Sequence, residues 1–304
     1  MSDLPSFRAV LHPTDLTAGS DVAFIHALRI ATSAGGGGHF TIIHADPVGE
    51  SAPHRPEFPS VHSNLERWGL LSSGSHSEDV FNELGVAVDK VDARGSNAVN
   101  AINDYIVTNP VDLLVLATRG RDGLPRWIHP SVSERLARLA KTTTLFVPNG
   151  ARGFISADDG AAQLRKILIP VATEPTPHAA VDAACALARM LSGEAVRIDL
   201  LHVGDEGSNP APWLVTDDQF TYKFLFRTGD VVEEISATAL ELQVDLIAMS
   251  TYGHHGFLDA LRGSTTEQVV RCASCPVLAA PVAGHTQRIP LLAFDTPEIA
   301  PSTA

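Results

Sequence analysis

The segment Ser250-Thr-Tyr-Gly253, followed nine residues later by Gly263-Ser264-Thr265-Thr266-Glu267, is the stretch of this sequence best suited to hold an anion. Glycine lets backbone N–H groups approach a ligand with no Cβ in the way. Ser264 opens a segment of helical periodicity, so the positive end of a helix dipole and its free N–H groups follow the glycine directly. A hydroxyl at Ser264 or Thr265 adds a further donor. A related stretch, Ala117-Thr-Arg-Gly120 and then Pro130-Ser131-Val132-Ser133, keeps only the middle glycine and the serine. Pro130 has no N–H and holds φ near −65°, and Ala117 brings a methyl group where backbone should face the ligand. Ser264 with Glu267, and Ser131 with Glu134, also fit the capping box, which taken alone is a structural device.

Other groups invite chemistry less strongly. Arg119, Arg121 and Arg126 beside Trp127 could grip a different anion or stack a flat ligand, but a solvated loop with one packed tryptophan is the simpler reading. His12, Asp15 and His44 fall near one sheet edge, and imidazole and carboxylate suit zinc; their spacing matches no compact metal motif. His254-His255 are adjacent and need not face one ligand. Cys272-Ala-Ser-Cys275 joins the end of a helix to the start of a strand. A redox pair would sit at a helix N-terminus, where the dipole lowers the thiol pKa, so a buried structural role is expected.

The elements that must position these residues repeat. Arg8-Ala-Val-Leu-His-Pro13 matches Arg165-Lys-Ile-Leu-Ile-Pro170, and Ile42-Ile-His44 matches Leu200-Leu-His202. Asp112-Leu-Leu-Val-Leu-Ala-Thr-Arg-Gly120 matches Asp245-Leu-Ile-Ala-Met-Ser-Thr-Tyr-Gly253. Arg165 stands 157 positions after Arg8 and Gly253 stands 133 after Gly120, so the second copy is shorter in its middle by about 24 residues. That is the size of one long helix and its connections.

In the first copy, strands are expected at 9–12, 40–44, 86–91, 113–117 and 143–147. Helices are expected at 20–34, 61–84 (interrupted near 72–75), 97–107 and 131–140, with loops at 46–60 and 118–130. In the second, strands fall at 166–170, 196–202, 222–226, 245–249 and 276–280, and helices at 177–192, 230–243 and 264–273. Near-continuous apolar strands alternating with helices predict an α/β fold: two tandem, doubly wound, five-stranded parallel sheets, the second lacking one helix. The expected domains are 6–148 and 164–283, with a linker at 149–163 and a tail at 284–304. Prolines at 290, 297 and 301 discourage regular structure in the tail, yet 289–294 is apolar enough to pack somewhere.

The composition bounds the function. The chain has 304 residues, 44% hydrophobic and 19% charged, with 22 basic against 35 acidic side chains and a net charge of −13. Two domains with their own cores fit that length, and wholesale disorder does not. The acidic balance argues against a nucleic-acid binder that neutralises phosphates over a broad surface. No apolar run approaches the roughly 20 residues of a membrane span. Residues 1–7 lack the pattern of a signal peptide. Three cysteines are too few for a disulfide scaffold. A reduced, cytoplasmic protein is expected.

Together the two loops, their positions after the fourth strand of each copy, and the repeat resemble the universal stress protein family in its tandem form. The resemblance covers about 6–148 and 164–283. Nucleotide-binding members carry Gly-x2-Gly-x9-Gly-Ser/Thr after the fourth strand and Pro-Thr/Val-Asp after the first. The second copy keeps Gly253, Gly263, Ser264, Thr265 and Thr266, with Ser250 in place of the first glycine. It keeps Pro170-Val171 but has Ala172 for the aspartate. Val203 matches a base-contacting valine, and Met249 would line the base and ribose. The first copy keeps Pro13, Thr14, Asp15, Gly120 and Ser131.

The resemblance implies an adenine nucleotide, ATP or a relative with magnesium, bound mainly in the second half of a stress-response regulator. It also implies antiparallel pairing of 145–147 with 277–279 between the halves, leaving a further homodimer open. The alternatives are a scaffold with decayed sites or a different ligand, and a slow ATPase. The sequence has no P-loop lysine, Ser-His-Asp set or carboxylate pair at the loop, so nothing beyond slow hydrolysis has visible machinery.

Overall fold

The structure, a computed structural model, describes residues 4–47, 57–95, 97–118, 142–205, 214–252 and 264–282. The first half contributes strands β1 (Ala9–Pro13), β2 (Gly38–Pro47), β3 (Val86–Gly95), β4 (Leu113–Thr118) and β5 (Thr143–Pro148). The second contributes β6 (Lys166–Pro170), β7 (Val196–Val203), β8 (Phe220–Arg227), β9 (Leu246–Thr251) and β10 (Val277–Pro281). All ten form one sheet in the order β3-β2-β1-β4-β5-β10-β9-β6-β7-β8. Each half is parallel, and the order reverses at its first strand, as in doubly wound folds.

The halves meet where β5 and β10 pair antiparallel, with Phe146 opposite Val277, Leu145 opposite Leu278 and Thr144 opposite Ala279. Two sheet edges that would otherwise offer unpaired N–H and C=O groups thereby satisfy each other.

Helices cover both faces because the central strands are apolar on both. One face carries α1 (Asp21–Ser33), α2 (Val61–Arg67), α3 (Asp79–Leu84) and α5 (His178–Leu191) over a core that includes Phe24, Leu28, Phe40, Val115, Ile169 and Leu200. The other carries α4 (Ala98–Thr108), α6 (Val231–Leu242) and α7 (Thr265–Cys272) over Leu114, Leu168, Ile247 and Val277. The α5 segment is rich in alanine, the best helix former, and its small buried side chains let it lie close to the strands.

One clamp repeats in both halves. The Asp112 carboxylate accepts the N–H groups of Arg8 and Ala9 at 3.0 and 2.8 Å. Asp245 accepts those of Arg165 and Lys166, both at 2.9 Å. Each aspartate thus fixes the start of the strand that leads to a candidate binding loop.

Three expectations change. The helix expected over 61–84 is two short helices, α2 and α3, separated by residues 68–78. Gly69 and Gly74 take φ of +68° and +83°, which ends α2 early. Trp68 turns into the core and donates from Nε1 to the Ala157 carbonyl at 3.0 Å. The segment expected as a linker is packed on the helices of the first half. His26 Nε2 accepts the Phe154 N–H at 3.0 Å, Arg29 Nε donates to Gly160 at 2.9 Å, and the Phe154 side chain is buried. Between β7 and β8 no helix occurs among the described residues; Val215 is buried there instead. The helix expected at 131–140 lies outside the described residues.

Candidate functional site

In the second half, β6 and β9 are neighbours, yet the chain leaves them toward opposite faces. β6 leads into α5 on one face, and β9 leads into α7 on the other. Ligands bind open α/β sheets at such a switch point, beyond the carboxyl ends of the strands.

The turn after β6 is fixed by its neighbours. Val171 N–H donates to Leu201 at 2.8 Å, and the His202 Nδ1–H donates to the Val171 carbonyl at 3.1 Å. The first half repeats this: Thr14 N–H donates to Ile43 at 2.9 Å, and the His44 Nδ1–H donates to the Thr14 carbonyl at 3.0 Å. The Leu-His and Ile-His pairs noted in the repeat therefore brace the turn after the first strand of each half.

Pro170 is half-buried, Val171 is buried in the α5-side core, and Val203 ends β7 half-buried. Met249 is buried in the core beneath α6 and α7, so its side chain belongs to packing. The Ser250 hydroxyl accepts the Ala180 N–H at 3.0 Å.

At the start of α7, Ser264 is the N-cap. Its hydroxyl accepts the Glu267 N–H and its own N–H donates to the Glu267 carboxylate, both at 3.3 Å. The capping box read from the sequence is present here. Thr265 is exposed and Thr266 half-buried, and their N–H groups, in the first turn, have no intrahelical acceptor.

Two residues that the motif reading passed over also stand at this switch point. Glu174 follows β6, Tyr252 follows β9, and the Tyr252 hydroxyl lies beside the Glu174 carboxylate. Partial desolvation and that carboxylate push the phenol's ionisation up. Their sequence separation gives no local signal of the contact.

In the first half the β1 turn is tightly knotted. Asp15 accepts from the Thr17 hydroxyl at 2.8 Å and the Thr17 N–H at 3.1 Å. Partial burial opposes ionisation, but these hydrogen bonds hold the carboxyl below its usual range. Thr14 Oγ1 accepts the Leu16 N–H and pairs with the Ser20 hydroxyl, at 3.0 and 2.9 Å. Leu16 sits at φ 61°, a left-handed conformation that costs a leucine about 1–2 kcal/mol and that the surrounding hydrogen bonds must hold. Pro13 closes β1 half-buried.

Gly253, Gly263, Gly120 and Ser131 lie outside the described residues. So do Arg119, Arg121, Arg126, Trp127, Glu134, His254 and His255.

The metal and redox readings can be placed. His12 is buried on the α1 side, 6.1 Å from the Phe24 ring, with its Nδ1–H on the Val115 carbonyl at 3.0 Å. Burial pushes its pKa down to about 4. Among the described residues, no group of three His, Cys, Asp or Glu is close enough to hold a metal ion. Cys272 and Cys275 are both free thiols; Cys275 is buried, and burial pushes its pKa up to about 12. Cys272 donates to the Gln268 carbonyl at 3.1 Å.

The chain was compared with known proteins. A profile described as the universal stress protein family matches residues 6–148 and 213–281. Universal stress protein A homolog 1 of Coxiella burnetii (strain RSA 493 / Nine Mile phase I) is 42% identical over 52 residues, 17% of this chain and 35% of that protein. The chain thus matches about a third of the length of that relative. A crystal structure of a universal stress protein from Archaeoglobus fulgidus DSM 4304 aligns with a TM-score of 0.57 at 15% identity, covering 90% of this chain and 98% of that one. A functionally unknown protein from Pseudomonas aeruginosa PAO1 aligns with a TM-score of 0.55 at 14% identity, covering 91% and 93%. At these identities the structural likeness speaks for the fold, here across both halves. The family profile, matching most of the chain, carries the assignment: this chain belongs to the universal stress protein family.

Proposed function

We propose that the chain binds an adenine nucleotide, ATP or a relative, at the β6–β9 switch point of its second half, and that occupancy alters its contacts with partners. One observation carries this reading. Helix α7 begins at the carboxyl edge beside β6, with the first-turn N–H groups of Thr265 and Thr266 lacking intrahelical acceptors. Gly253 and Gly263 would let the preceding backbone approach phosphate, and Ser264, Thr265 and Thr266 would donate to it. Pro170, Val171 and Val203 would face the base and ribose. Magnesium would accompany a triphosphate and neutralise part of its charge. In the first half, Pro13, Thr14, Asp15, Gly120 and Ser131 form a weaker version of the same set. The three unpaired cysteines suit a reducing, cytoplasmic setting. No described helix is long and apolar enough to cross a membrane.

A second reading, a scaffold with a decayed site or another ligand, draws on Glu174. A carboxylate beside Tyr252 at the switch point repels polyphosphate. Calorimetric titration with ATP, ADP and AMP plus magnesium, repeated on Gly263→Pro, separates the two. Saturable binding lost in the variant supports the nucleotide reading. No heat with any nucleotide, from folded and ligand-free protein, overturns it. Phosphate release from bound ATP would add slow hydrolysis.

A further inference from the structure

The outer strand of the second half carries aromatic side chains that nothing described covers. In β8, Tyr222 and Phe226 face the α5 side: the Tyr222 hydroxyl lies 3.7 Å from the Cys185 thiol of α5, and the Phe226 ring packs edge-on against His202 at 6.4 Å. Phe224, between them, faces the same way and is 40% exposed. The outer strand of the first half, β3, has its α1-side face covered. There Leu65, Trp68, Leu71 and Val80, from α2, α3 and the turn between them, are buried against it. The second half is shorter by about 24 residues at this point, and the cover is what the shortening removes.

The tail has the composition and the reach to replace that cover. β10 ends at Pro281, and the Val282 N–H still pairs with Thr251 at 2.8 Å, so the chain leaves the sheet at the carboxyl edge of the second half. Between β10 and β8 lie β9, β6 and β7. Four strand spacings come to about 19 Å. Residues 283–288, extended, span about 20 Å. The next six residues, Ile289-Pro-Leu-Leu-Ala-Phe294, are the one apolar run in a tail otherwise of polar residues, glycine, alanine and proline. They enter beside Arg227, where β8 ends, and extend for about 20 Å back along a strand of eight residues.

We propose that residues 289–294 of this same chain lie along β8 and cover Phe224, replacing in the second half the shielding that α2 and α3 give the first. The tail's path from β10 to β8 crosses the carboxyl ends of β9, β6 and β7, so docking draws residues 283–288 over the β6–β9 switch point. The docking itself does not depend on whether a nucleotide binds there.

Hydrogen exchange on the full-length chain, followed by mass spectrometry at two protein concentrations, tests the docking. In the unaltered chain, the amides of 289–294 and of β8 are expected to be protected together, independently of concentration. Leu292→Asp with Phe294→Asp is expected to speed exchange in both segments by about tenfold, a 1.4 kcal/mol loss of local protection, while β7 and the first half stay unchanged. Phe224→Ser, made from the other side of the contact, is expected to release 289–294 in the same way. Unchanged β8 exchange in the tail variant, with β7 still protected, overturns the proposal. Protection that rises with concentration alongside a dimer mass in sedimentation also overturns it, and assigns the face to a second copy of the chain.

Discussion

The Ser250 hydroxyl accepts a 3.0 Å hydrogen bond from the N–H of Ala180, the third residue of α5. Ser250 stands where the family motif has its first glycine, and its side chain acts as a helix cap supplied from another strand. The residue before α5, Pro177, makes no side-chain cap of its own, so Ser250 satisfies a donor that would otherwise be buried and orphaned. Ser250→Ala is therefore expected to lower stability by about 1 kcal/mol, the usual worth of a cap. Nucleotide affinity should stay within about twofold, because the hydroxyl is already engaged. Chemical denaturation and calorimetry on the one variant check both halves of this expectation.

Glu174 sets a negative charge beside Tyr252 at the switch point. If phosphate groups bind near α7, removing that charge favours the more highly charged ligands. Glu174→Gln is expected to tighten ATP by about fivefold, roughly 1 kcal/mol at the effective dielectric of a protein surface, and AMP by less. The gain should shrink with added salt. Equal gains for ATP and AMP would place the carboxylate away from the phosphates.

Two buried histidines couple folding to pH. His26 donates from Nδ1 to the Val22 carbonyl at 2.7 Å and accepts the Phe154 N–H at Nε2, an arrangement that only the neutral ring satisfies. Burial lowers the pKa of both His12 and His26 to about 4, against an ordinary 6.5. Between these values the unfolded chain binds more protons than the folded one, so stability rises with pH across that window. The contribution is complete above about pH 6.5 and is lost as pH falls toward 4, on the order of 3 kcal/mol for each ring. Urea denaturation from pH 4 to 7 should show this slope, and His12→Leu should flatten part of it.

The buried thiols should be inert. Burial raises Cys185 to about 11 and Cys275 to about 12, so almost no thiolate exists at pH 8. Folded protein is expected to leave both unmodified by a thiol reagent, and unfolded protein to titrate all three cysteines. Rapid formation of a Cys272–Cys275 disulfide under mild oxidant would contradict this.

The sequence by itself determined the doubled architecture. Apolar runs such as 113–117 and 245–249 can only be strands buried on both faces, and the spacing of the repeats sets the order of elements. It also determined the capping box at Ser264, because Ser-x-x-Glu before an apolar-periodic segment is a purely local device. Even the β5–β10 pairing was legible through the family resemblance.

Only the tertiary structure decided what depends on contacts between residues far apart in the chain. The segment 149–163 reads as a linker because its Gly, Ala and Asp have no periodicity. What holds it is His26, Arg29 and Trp68, whose side chains reach across from helical positions roughly 90 to 130 residues earlier. Met249 fits a binding motif by position, but strand alternation turns it into the α6–α7 core. Ser250, one residue on, points the other way and caps α5. His44 and His202 look like metal ligands on paper and serve as braces, because parallel pairing sets each ring beside the carbonyl of the turn it holds. Local propensity fixes elements; which side chains meet is set by strand order and register, and those are properties of the assembled sheet.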